Sequence, residues 1–422
     1  MHHFNYVDGQ MQAEDVSIAE IAEAVQTPFY CYSSATLTRH YQVFSGAFDA
    51  MDSLVCYSVK ANSNIAVLRM LANLGSGADI VSEGELRRAQ KAGIPADRIV
   101  FSGVGKQESE MRAALSAGVL QFNVASEPEL SLLNDVAVEM GLCAPVALRI
   151  NPDVDAGTHE KISTGKSENK FGLPWTEARA IYGRAADMAG IQIVGVDVHI
   201  GSQLSDLTPL EIAFTRLGEL VILLREDGHI IDRIDLGGGL GIPYHPDDPE
   251  PPRPDEYATM VQRTVGDLGC QIILEPGRLI AGNAGILVTR VIYVKEAGER
   301  IFVILDGAMN DLVRPSLYGA YHQIQPVKEP PTDADKVSID FVGPVCESGD
   351  TFATQRLSTR VEAGDLVAIM SAGAYGAVMA SSYNTRPLTP EVLVNEDKFA
   401  IIRRRPDYDE ILAQEHIPNW VE

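Results

Sequence analysis

Short apolar runs alternate with helical patterns over much of the chain, starting near residue 54. Leu54–Val59 mixes β-branched and aromatic residues, whereas apolar positions recur every three or four residues in Asn64–Leu71. The first pattern is typical of a buried strand and the second of a helix that packs on one face. The strands predicted in this way are 54–59, 78–81, 98–101, 120–124, 145–150, 193–200, 233–236 and 271–275. Predicted helices between them include Glu83–Ala92, Glu108–Ala117, Glu127–Met140 and Glu211–Glu226.

Eight strands separated by helical patterns predict an α/β fold of the (β/α)8 barrel class, for which about 250 residues is typical. A doubly wound open sheet is the alternative. It would make Gly237–Gly241 a dinucleotide-binding loop, but this glycine cluster comes late in the chain and lacks the Gly-x-Gly-x-x-Gly spacing. We therefore predict the barrel.

The pattern differs on both sides of this region. Before it we predict a helix over 15–24, a strand over 28–32 and a helix over 35–48 with Ser34 as its N-cap. After about residue 286, strands follow one another without long helices, which predicts a mostly antiparallel β domain. These later strands are 286–294, 301–305, 337–342 and 366–370. The predicted parts are an N-terminal segment (1–35) that packs with the β domain, the barrel (36–285) and the C-terminal β domain (286–422).

Composition narrows the classes of partner. The formal net charge is −24 and no block of Lys and Arg accompanies it, so nucleic acid and anionic membranes are poor partners. The N-terminus resembles no signal peptide, and no apolar run approaches the roughly 20 residues of a membrane span.

The five cysteines lack metal-like spacing, so we predict no metal site and a reducing, cytoplasmic location. Cys31, Cys56, Cys143 and Cys270 lie beside apolar runs, and we expect them to pack in the core. Cys346 lies in a polar turn, where its thiol should be accessible.

Polar residues fall at the carboxyl ends of the predicted strands, which is the end of a (β/α)8 barrel that carries its chemistry. Lys60 follows strand 54–59, and Asp79 lies in the next one. A lysine side chain enclosed by apolar neighbours loses its proton more readily, as Schiff-base formation with an aldehyde requires. A surface lysine at a strand end is the alternative.

Glu275 follows the apolar run Ile272–Leu274 and should project into a partly enclosed site. A carboxylate there can keep a pyridine nitrogen protonated, and a pyridinium is the electron sink of pyridoxal phosphate. A structural salt bridge with Arg278 is the alternative interpretation.

The glycine run Gly237–Gly239 permits close backbone approach, and its N–H groups suit a phosphate. His199 ends another strand and could stack on a flat ring, while Ser202 could donate to the phosphate. A flexible turn and a hydrogen-bonded core histidine are the alternatives. In the β domain, Cys346 could donate a proton, and Tyr375, among small residues, suits a phosphate contact or packing equally.

These motifs resemble the fold type III pyridoxal-phosphate decarboxylases, which combine an alanine-racemase-like barrel with a β domain. The resemblance spans nearly the whole chain and is carried by six motifs in the family's order. They are Tyr57-Ser58-Val59-Lys60-Ala61-Asn62, His199-Ile200-Gly201-Ser202-Gln203, Gly237-Gly238-Gly239, Glu275-Pro276-Gly277-Arg278, Cys346-Glu347-Ser348-Gly349-Asp350 and Gly373-Ala374-Tyr375-Gly376.

The resemblance implies pyridoxal 5'-phosphate as cofactor and a homodimer in which the cysteine-bearing turn of one subunit completes the other's site. It assigns Lys60 to the covalent link with the cofactor and Cys346 to proton donation. The implied cofactor-binding set is Lys60, Asp79, His199, Ser202, Gly238, Glu275, Gly277, Arg278 and Tyr375. Residues 159–172 resemble the family's mobile loop, whose Gly and Ser content suits a lid.

Within this family the chain is most similar to members that decarboxylate meso-2,6-diaminopimelate to L-lysine. Arg278 and Arg314 offer guanidiniums suited to a distal carboxylate. The implied substrate-binding set is Arg278, Arg314, Tyr318, Glu347 and Tyr375, with Glu347 pairing with the distal amine. The alternatives are decarboxylation of carboxynorspermidine, arginine or ornithine, a non-catalytic cofactor-binding homologue, and, for Arg314, an ordinary surface arginine.

Overall fold

The structure, a computed structural model, describes residues 2–154 and 172–421. Contacts divide the chain into two units, one of Met1–Thr36 with Ala281–Glu422 and the other of Leu37–Ile280. None of the helices in the described ranges has both the length and the hydropathy needed to cross a bilayer.

The N-terminal segment contains more strand than its pattern predicted. It forms β1 (Phe4–Val7), β2 (Gln10–Ala13), β3 (Val16–Ser17), α1 (Ile18–Val25), β4 (Phe29–Ser33) and α2 (Ser34–Gly46). The helix predicted from residue 15 begins only at Ile18, because Val16 and Ser17 pair with β2. Ser34 is not the N-cap of α2. The hydroxyl of Ser33 accepts from the Thr36 amide at 3.1 Å, so the cap lies one residue earlier.

The unit Leu37–Ile280 is a closed parallel barrel, which confirms the predicted (β/α)8 class. Its eight strands are β5 (Ser53–Ser58), β6 (Gly77–Ile80), β7 (Ile99–Phe101), β8 (Gln121–Val124), β9 (Ala144–Asn151), β11 (Ile191–Asp197), β12 (Arg233–Asp235) and β13 (Gln271–Leu274). The pairing of β13 with β5 closes the ring. A two-residue strand, β10 (Leu173–Pro174), adds to β9 outside the ring.

The barrel strands alternate with helices. These helices are α3 (Ile65–Asn73), α4 (Glu83–Ala92), α5 (Glu108–Ala117), α6 (Glu127–Met140), α7 (Ala178–Ala186), α8 (Thr208–Glu226), α9 (Pro254–Val265) and α10 (Arg278–Ala281). The bounds of α4, α5 and α6 are those predicted. Ser82 and Ser126 cap α4 and α6 with their side chains, and glycines in the left-handed conformation end both helices. These local signals explain the accuracy of the predicted bounds.

The C-terminal region forms a mostly antiparallel sheet, as predicted. Its elements are β14 (Gly285–Ala297), β15 (Arg300–Leu305), α11 (Arg314–Tyr318), β16 (Ile324–Pro326), β17 (Lys336–Val342), β18 (Thr351–Thr359), β19 (Leu366–Ile369), β20 (Glu391–Asn395), β21 (Lys398–Arg403) and α12 (Tyr408–Leu412). The strand order is β18-β17-β15-β14-β4-β20-β21, and β19 pairs with β14 and β16. Only the β15–β17 and β4–β20 pairs in this sheet are parallel among the described residues.

The cysteines depart from prediction at one position. Cys31, Cys56 and Cys270 are buried, and Cys346 is exposed, as expected. Cys143 is also exposed, which makes its predicted core position wrong. It lies just before β9 begins at Ala144, where the chain has not yet entered the barrel.

Candidate active site

Lys60 follows β5 directly, in a single 3-10 turn over Val59–Ala61. Its ammonium lies 2.7 Å from Oδ2 of Asp79, and the Ser58 hydroxyl donates to the same oxygen at 2.8 Å. The strand register explains this contact, because Ser58 of β5 is paired with Asp79 of β6. The other oxygen, Asp79 Oδ1, is buried and has no hydrogen-bond partner among the described residues.

His199 lies two residues beyond the end of β11 and faces the glycine run. The amide of Gly238 donates to His199 Nδ1 at 3.2 Å, so the ring proton of the neutral imidazole is on Nε2. Burial, followed by the positive charges of Arg149 and Lys60, holds the pKa of His199 well below its ordinary value. The imidazole is therefore a neutral, flat surface, as ring stacking requires.

The predicted glycines lie where no side chain would fit. A Cβ on Gly238 would lie 2.2 Å from the Glu275 carbonyl oxygen, and one on Gly277 would lie 2.9 Å from Ser58 Cβ. The Gly238 amide donates to His199, so a phosphate contact from this N–H would be shared with the imidazole. The structure thus gives these glycines a packing role in addition to any role in binding.

Arg278 and Ser202 lie together. Arg278 is the first residue of α10 and is buried. Its Nη2 lies 3.2 Å from Ser202 Oγ, and its Nη1 lies 2.6 Å from the hydroxyl of Tyr244. Tyr244 begins a Pro- and acid-rich segment, residues 244–252, and no sequence motif pointed to its contact with Arg278.

Glu275 follows β13 and is buried inside the barrel. Its Oε1 accepts from Ser102 Oγ at 3.1 Å and from Asn123 Nδ2 at 3.4 Å. Burial, then the charges of Asp235 and Asp79, raise the pKa of Glu275 well above its ordinary value. Burial likewise raises the pKa of Asp197 to about 8 and that of Asp235 to about 7.

This charge balance fits a cationic ring. Four carboxylates are buried here, namely Asp79, Asp197, Asp235 and Glu275. Lys60 and Arg149 are the cations that lower the pKa of Glu275, whereas Lys106 is paired with Glu129 at 2.6 Å. A cofactor with a protonated ring nitrogen would reduce this excess of negative charge. The unpartnered Asp79 Oδ1 is a second acceptor suited to it, so the residues fit pyridoxal phosphate.

Sequence reasoning missed most of the polar residues inside the barrel, namely Ser58, Ser102, Asn123, Arg149, Asp197 and Asp235. A signal was present. Each lies in or directly after a strand whose residues are mostly buried, and a polar side chain that points inward from such a strand needs a polar partner. Arg149 within Pro145–Ile150 is the clearest example.

The remaining predicted residues lie in the unit that contains Ala281–Glu422. Arg314 begins α11 and is buried, with Nε 3.3 Å from Nε2 of His322, so the surface alternative for Arg314 is wrong. In the same helix, the Ser316 hydroxyl donates to the Gly349 carbonyl at 2.6 Å. This bond joins α11 to the turn that carries Cys346 and Glu347.

The Cys346 turn presents its thiol. Cys346 and Glu347 are both exposed, and the Cys346 amide donates to Asn384 Oδ1 at 3.1 Å. Tyr318 and Tyr375 are half-buried, and Tyr375 has a φ of 55°, which is the left-handed region. In the described part of the chain, no group of three or more His, Cys, Asp or Glu residues could hold a metal ion. The predicted lid falls almost wholly on residues 155–171, outside the described residues.

A family model matches the barrel region of the chain. Residues 34–282 match the family model of the pyridoxal-dependent decarboxylases, pyridoxal binding domain. The chain belongs to the pyridoxal-dependent decarboxylase family. The match covers the barrel, with Lys60, His199 and Glu275.

Similar members of this decarboxylase family share the whole length of the chain. The diaminopimelate decarboxylase of Zymomonas mobilis is 48% identical over 421 residues, covering 99% of each chain. The crystal structure of diaminopimelate decarboxylase from Helicobacter pylori in complex with L-lysine has a TM-score of 0.90 at 41% identity, covering 94% of this chain and 98% of that one. The enzyme of that name from M. jannaschii, also in complex with L-lysine, has a TM-score of 0.93 at 36% identity and covers 100% of both chains.

Proposed function

We propose that this protein decarboxylates meso-2,6-diaminopimelate to L-lysine and CO2, with pyridoxal 5'-phosphate as cofactor. When bound, pyridoxal phosphate supplies a protonated pyridine ring that takes up the electron pair left by the departing CO2. The chain's own groups bind that ring, hold its charge and deliver the final proton.

The proposed roles rest on the family resemblance, and the geometry within each unit supports them. Lys60 would hold the cofactor through its aldehyde and would release it to the substrate amine. Glu275 would pair with the ring nitrogen, and neutral His199 would stack on the ring. Ser202, Gly238 and Tyr375 bind the phosphate. Cys346 gives its proton to the substrate α-carbon after CO2 has left.

The observation that carries the substrate assignment is the bond between Ser316 and Gly349. It fixes the helix of buried Arg314 next to the turn of Cys346 and Glu347. A guanidinium beside the proton donor suits a substrate with a distal carboxylate, and Glu347 suits its distal amine. Ornithine has no distal carboxylate, so Arg314 would have no such role in an ornithine decarboxylase.

The test is to incubate the purified protein with pyridoxal phosphate and meso-diaminopimelate and to measure CO2 and lysine. Ornithine, arginine and carboxynorspermidine serve as competing substrates. We expect turnover of diaminopimelate above all, and loss of turnover in Cys346→Ala. Cys143→Ala is the matched control, because both thiols are exposed. Preferred turnover of another substrate, or an active Cys346→Ala variant, would reject the proposal.

We further propose a cytoplasmic homodimer in which Cys346 of the partner subunit completes each site. Five free cysteines suit a reducing compartment. The test mixes two inactive variants, Lys60→Ala and Cys346→Ala, because a mixed dimer then contains one intact site. Activity should return to roughly a quarter of the wild-type value if subunits exchange freely and the two parts act across the dimer. Failure of the mixture, while native mass spectrometry with one isotope-labelled variant shows mixed dimers, would place both residues in one subunit's site.

A further inference from the structure

One amide inside the barrel contacts two carboxylates. Asn123 Nδ2 lies 2.8 Å from Asp235 Oδ2 and 3.4 Å from Glu275 Oε1. The same Nδ2 lies 3.2 Å from Ser102 Oγ, and that hydroxyl also donates to Glu275. All four residues are buried. They come from β8 and from the carboxyl ends of β7, β12 and β13, so the contact exists only because the barrel closes.

The side-chain oxygen and the backbone carbonyl oxygen of Asn123 both accept hydrogen bonds. Gln121 Nε2 donates to Asn123 Oδ1 at 2.9 Å, which turns the amide N–H groups toward the carboxylates. The backbone carbonyl oxygen of Asn123 accepts from Lys106 Nζ at 2.8 Å. Lys106 also donates to the Gly103 carbonyl at 2.9 Å, next to Ser102, and pairs with Glu129. Lys106 therefore holds the backbone of Asn123 and that of Gly103, the residue after Ser102.

The amide acts on a pair of carboxylates that oppose each other's ionisation. Asp235 raises the pKa of Glu275, in second place after burial. The Asn123 side-chain hydrogen bond lowers the pKa of Asp235, against the effect of burial. A neutral donor between two buried carboxylates favours their ionised forms without adding charge. Glu275 can pair with a protonated ring nitrogen only when it is ionised.

We propose that Asn123 is a positioning residue for the reaction, which bridges Asp235 and Glu275 and holds Glu275 as an oriented anion for the cofactor ring. The inference rests on the proposed function for the identity of the cofactor, and not for the identity of the substrate. The Ser102 hydroxyl contributes to this orientation by donating to Glu275 Oε1. Asn123 itself touches neither cofactor nor substrate in this proposal.

The test uses Asn123→Asp, which keeps the shape of the side chain but replaces the donor with a third carboxylate. We expect the cofactor-free variant to keep its far-ultraviolet circular dichroism and to bind pyridoxal phosphate at least about tenfold more weakly. The absorption band of the bound cofactor should also change with pH over a different range from that of the wild type. Asn134→Asp is the control for the substitution itself, because Asn134 Nδ2 also donates to a carboxylate, Asp135 Oδ1 at 3.1 Å, but in an exposed contact on α6.

A second variant, Asn123→Ser, tests the same inference if Asn123→Asp does not fold. Asn123→Ser adds no charge but loses the bridge, so it should weaken cofactor binding and move the same pH-dependent absorption band. Cofactor affinity and band behaviour equal to those of Asn134→Asp, in whichever variant folds, would overturn the inference. These readouts need no substrate. If the wild type binds cofactor but does not decarboxylate diaminopimelate, the proposed function fails while the inference on Asn123 is still tested.

Discussion

The ammonium of Lys60 lies 2.7 Å from Asp79 Oδ2, yet the two side chains differ sharply in exposure, at 38% for Lys60 and 0% for Asp79. The buried carboxylate is fixed by strand pairing and by Ser58, whereas the lysine can be reached from solvent. This asymmetry suits an amine that must exchange partners next to an anion that does not move.

The first prediction concerns Lys60→Ala. This variant should lose the absorption band of covalently held pyridoxal phosphate, and borohydride should fix no cofactor on the peptide around residue 60. Lys91→Ala, which removes an exposed lysine from α4, should keep the band. Lys60 is more than one third exposed but Asp79 is fully buried, so the variant leaves a buried carboxylate held by Ser58, and the cofactor-free protein should lose roughly 1–3 kcal/mol in a urea titration. A retained, reducible band in Lys60→Ala would contradict the assignment.

The sequence predicted the barrel well because several of its βα units carry local signals. Ser82 and Ser126 begin helices, and glycines end them, without help from distant residues. The short strands β1 and β2 gave no such signal, because Phe4–Val7 and Gln10–Ala13 become recognisable only by pairing with each other.

The candidate site also has residues whose position the sequence predicts and residues for which it does not. The positions of Lys60, His199 and Glu275 just after barrel strands were predictable, because each follows an apolar run. The contacts of Asn123 and His322 were not, since they depend on partners more than 40 residues away or on which ring nitrogen carries a proton.

The second prediction concerns the close approach at Gly238. Gly238→Ala would bring a methyl group to 2.2 Å from the Glu275 carbonyl oxygen, a backbone atom that cannot yield cheaply. We expect loss of cofactor binding and a destabilisation of about 2 kcal/mol or more. Gly183→Ala is the matched control in α7, where a new Cβ meets nothing within 4 Å. There the unfolding free energy should rise by about 0.5–1 kcal/mol. Equal stability of the two variants would refute the packing role of Gly238.

The third prediction concerns His322, which holds Arg314. His322 Nδ1 donates to the Met370 carbonyl at 2.9 Å, so its Nε2 is left to accept from Arg314 Nε. His322→Asn keeps a donor near the Nδ1 position but removes the acceptor. Hydrogen bonds to charged groups contribute about 1.5–3 kcal/mol, so the KM for diaminopimelate should rise at least about tenfold with a smaller change in kcat.

His322→Gln is the matched variant, since its side-chain oxygen can replace Nε2 as the acceptor. We expect it to recover most of the lost affinity for substrate. Steady-state kinetics on both variants give the comparison. A KM that is unchanged in His322→Asn would mean that Arg314 needs no support from His322, or that Arg314 does not bind the distal carboxylate.

The fourth prediction concerns stability against pH. Burial, with the charges of Glu275 and Asp79, raises the pKa of Asp197 to about 8, although Arg149 opposes this effect. In the unfolded chain an aspartate titrates near pH 4. Between about pH 4 and pH 8 the folded protein therefore holds a proton that the unfolded chain releases. The contribution of this group to stability is present below that range and is lost as the pH rises through it, at up to about 1.4 kcal/mol per pH unit for one proton.

Denaturant titrations of the cofactor-free protein at intervals from pH 5 to pH 8 test this dependence. Stability should fall with rising pH, and the fall should be shallower in Asp197→Asn because that side chain carries no titrating proton. Asp206→Asn is the control, since hydrogen bonds from Thr208 lower the pKa of Asp206, so that it titrates below this range. Asp235 and Glu275 should keep some slope in every variant, because the pKa of each is also raised. A slope in Asp197→Asn equal to that of the wild type would show that Asp197 does not hold the proton.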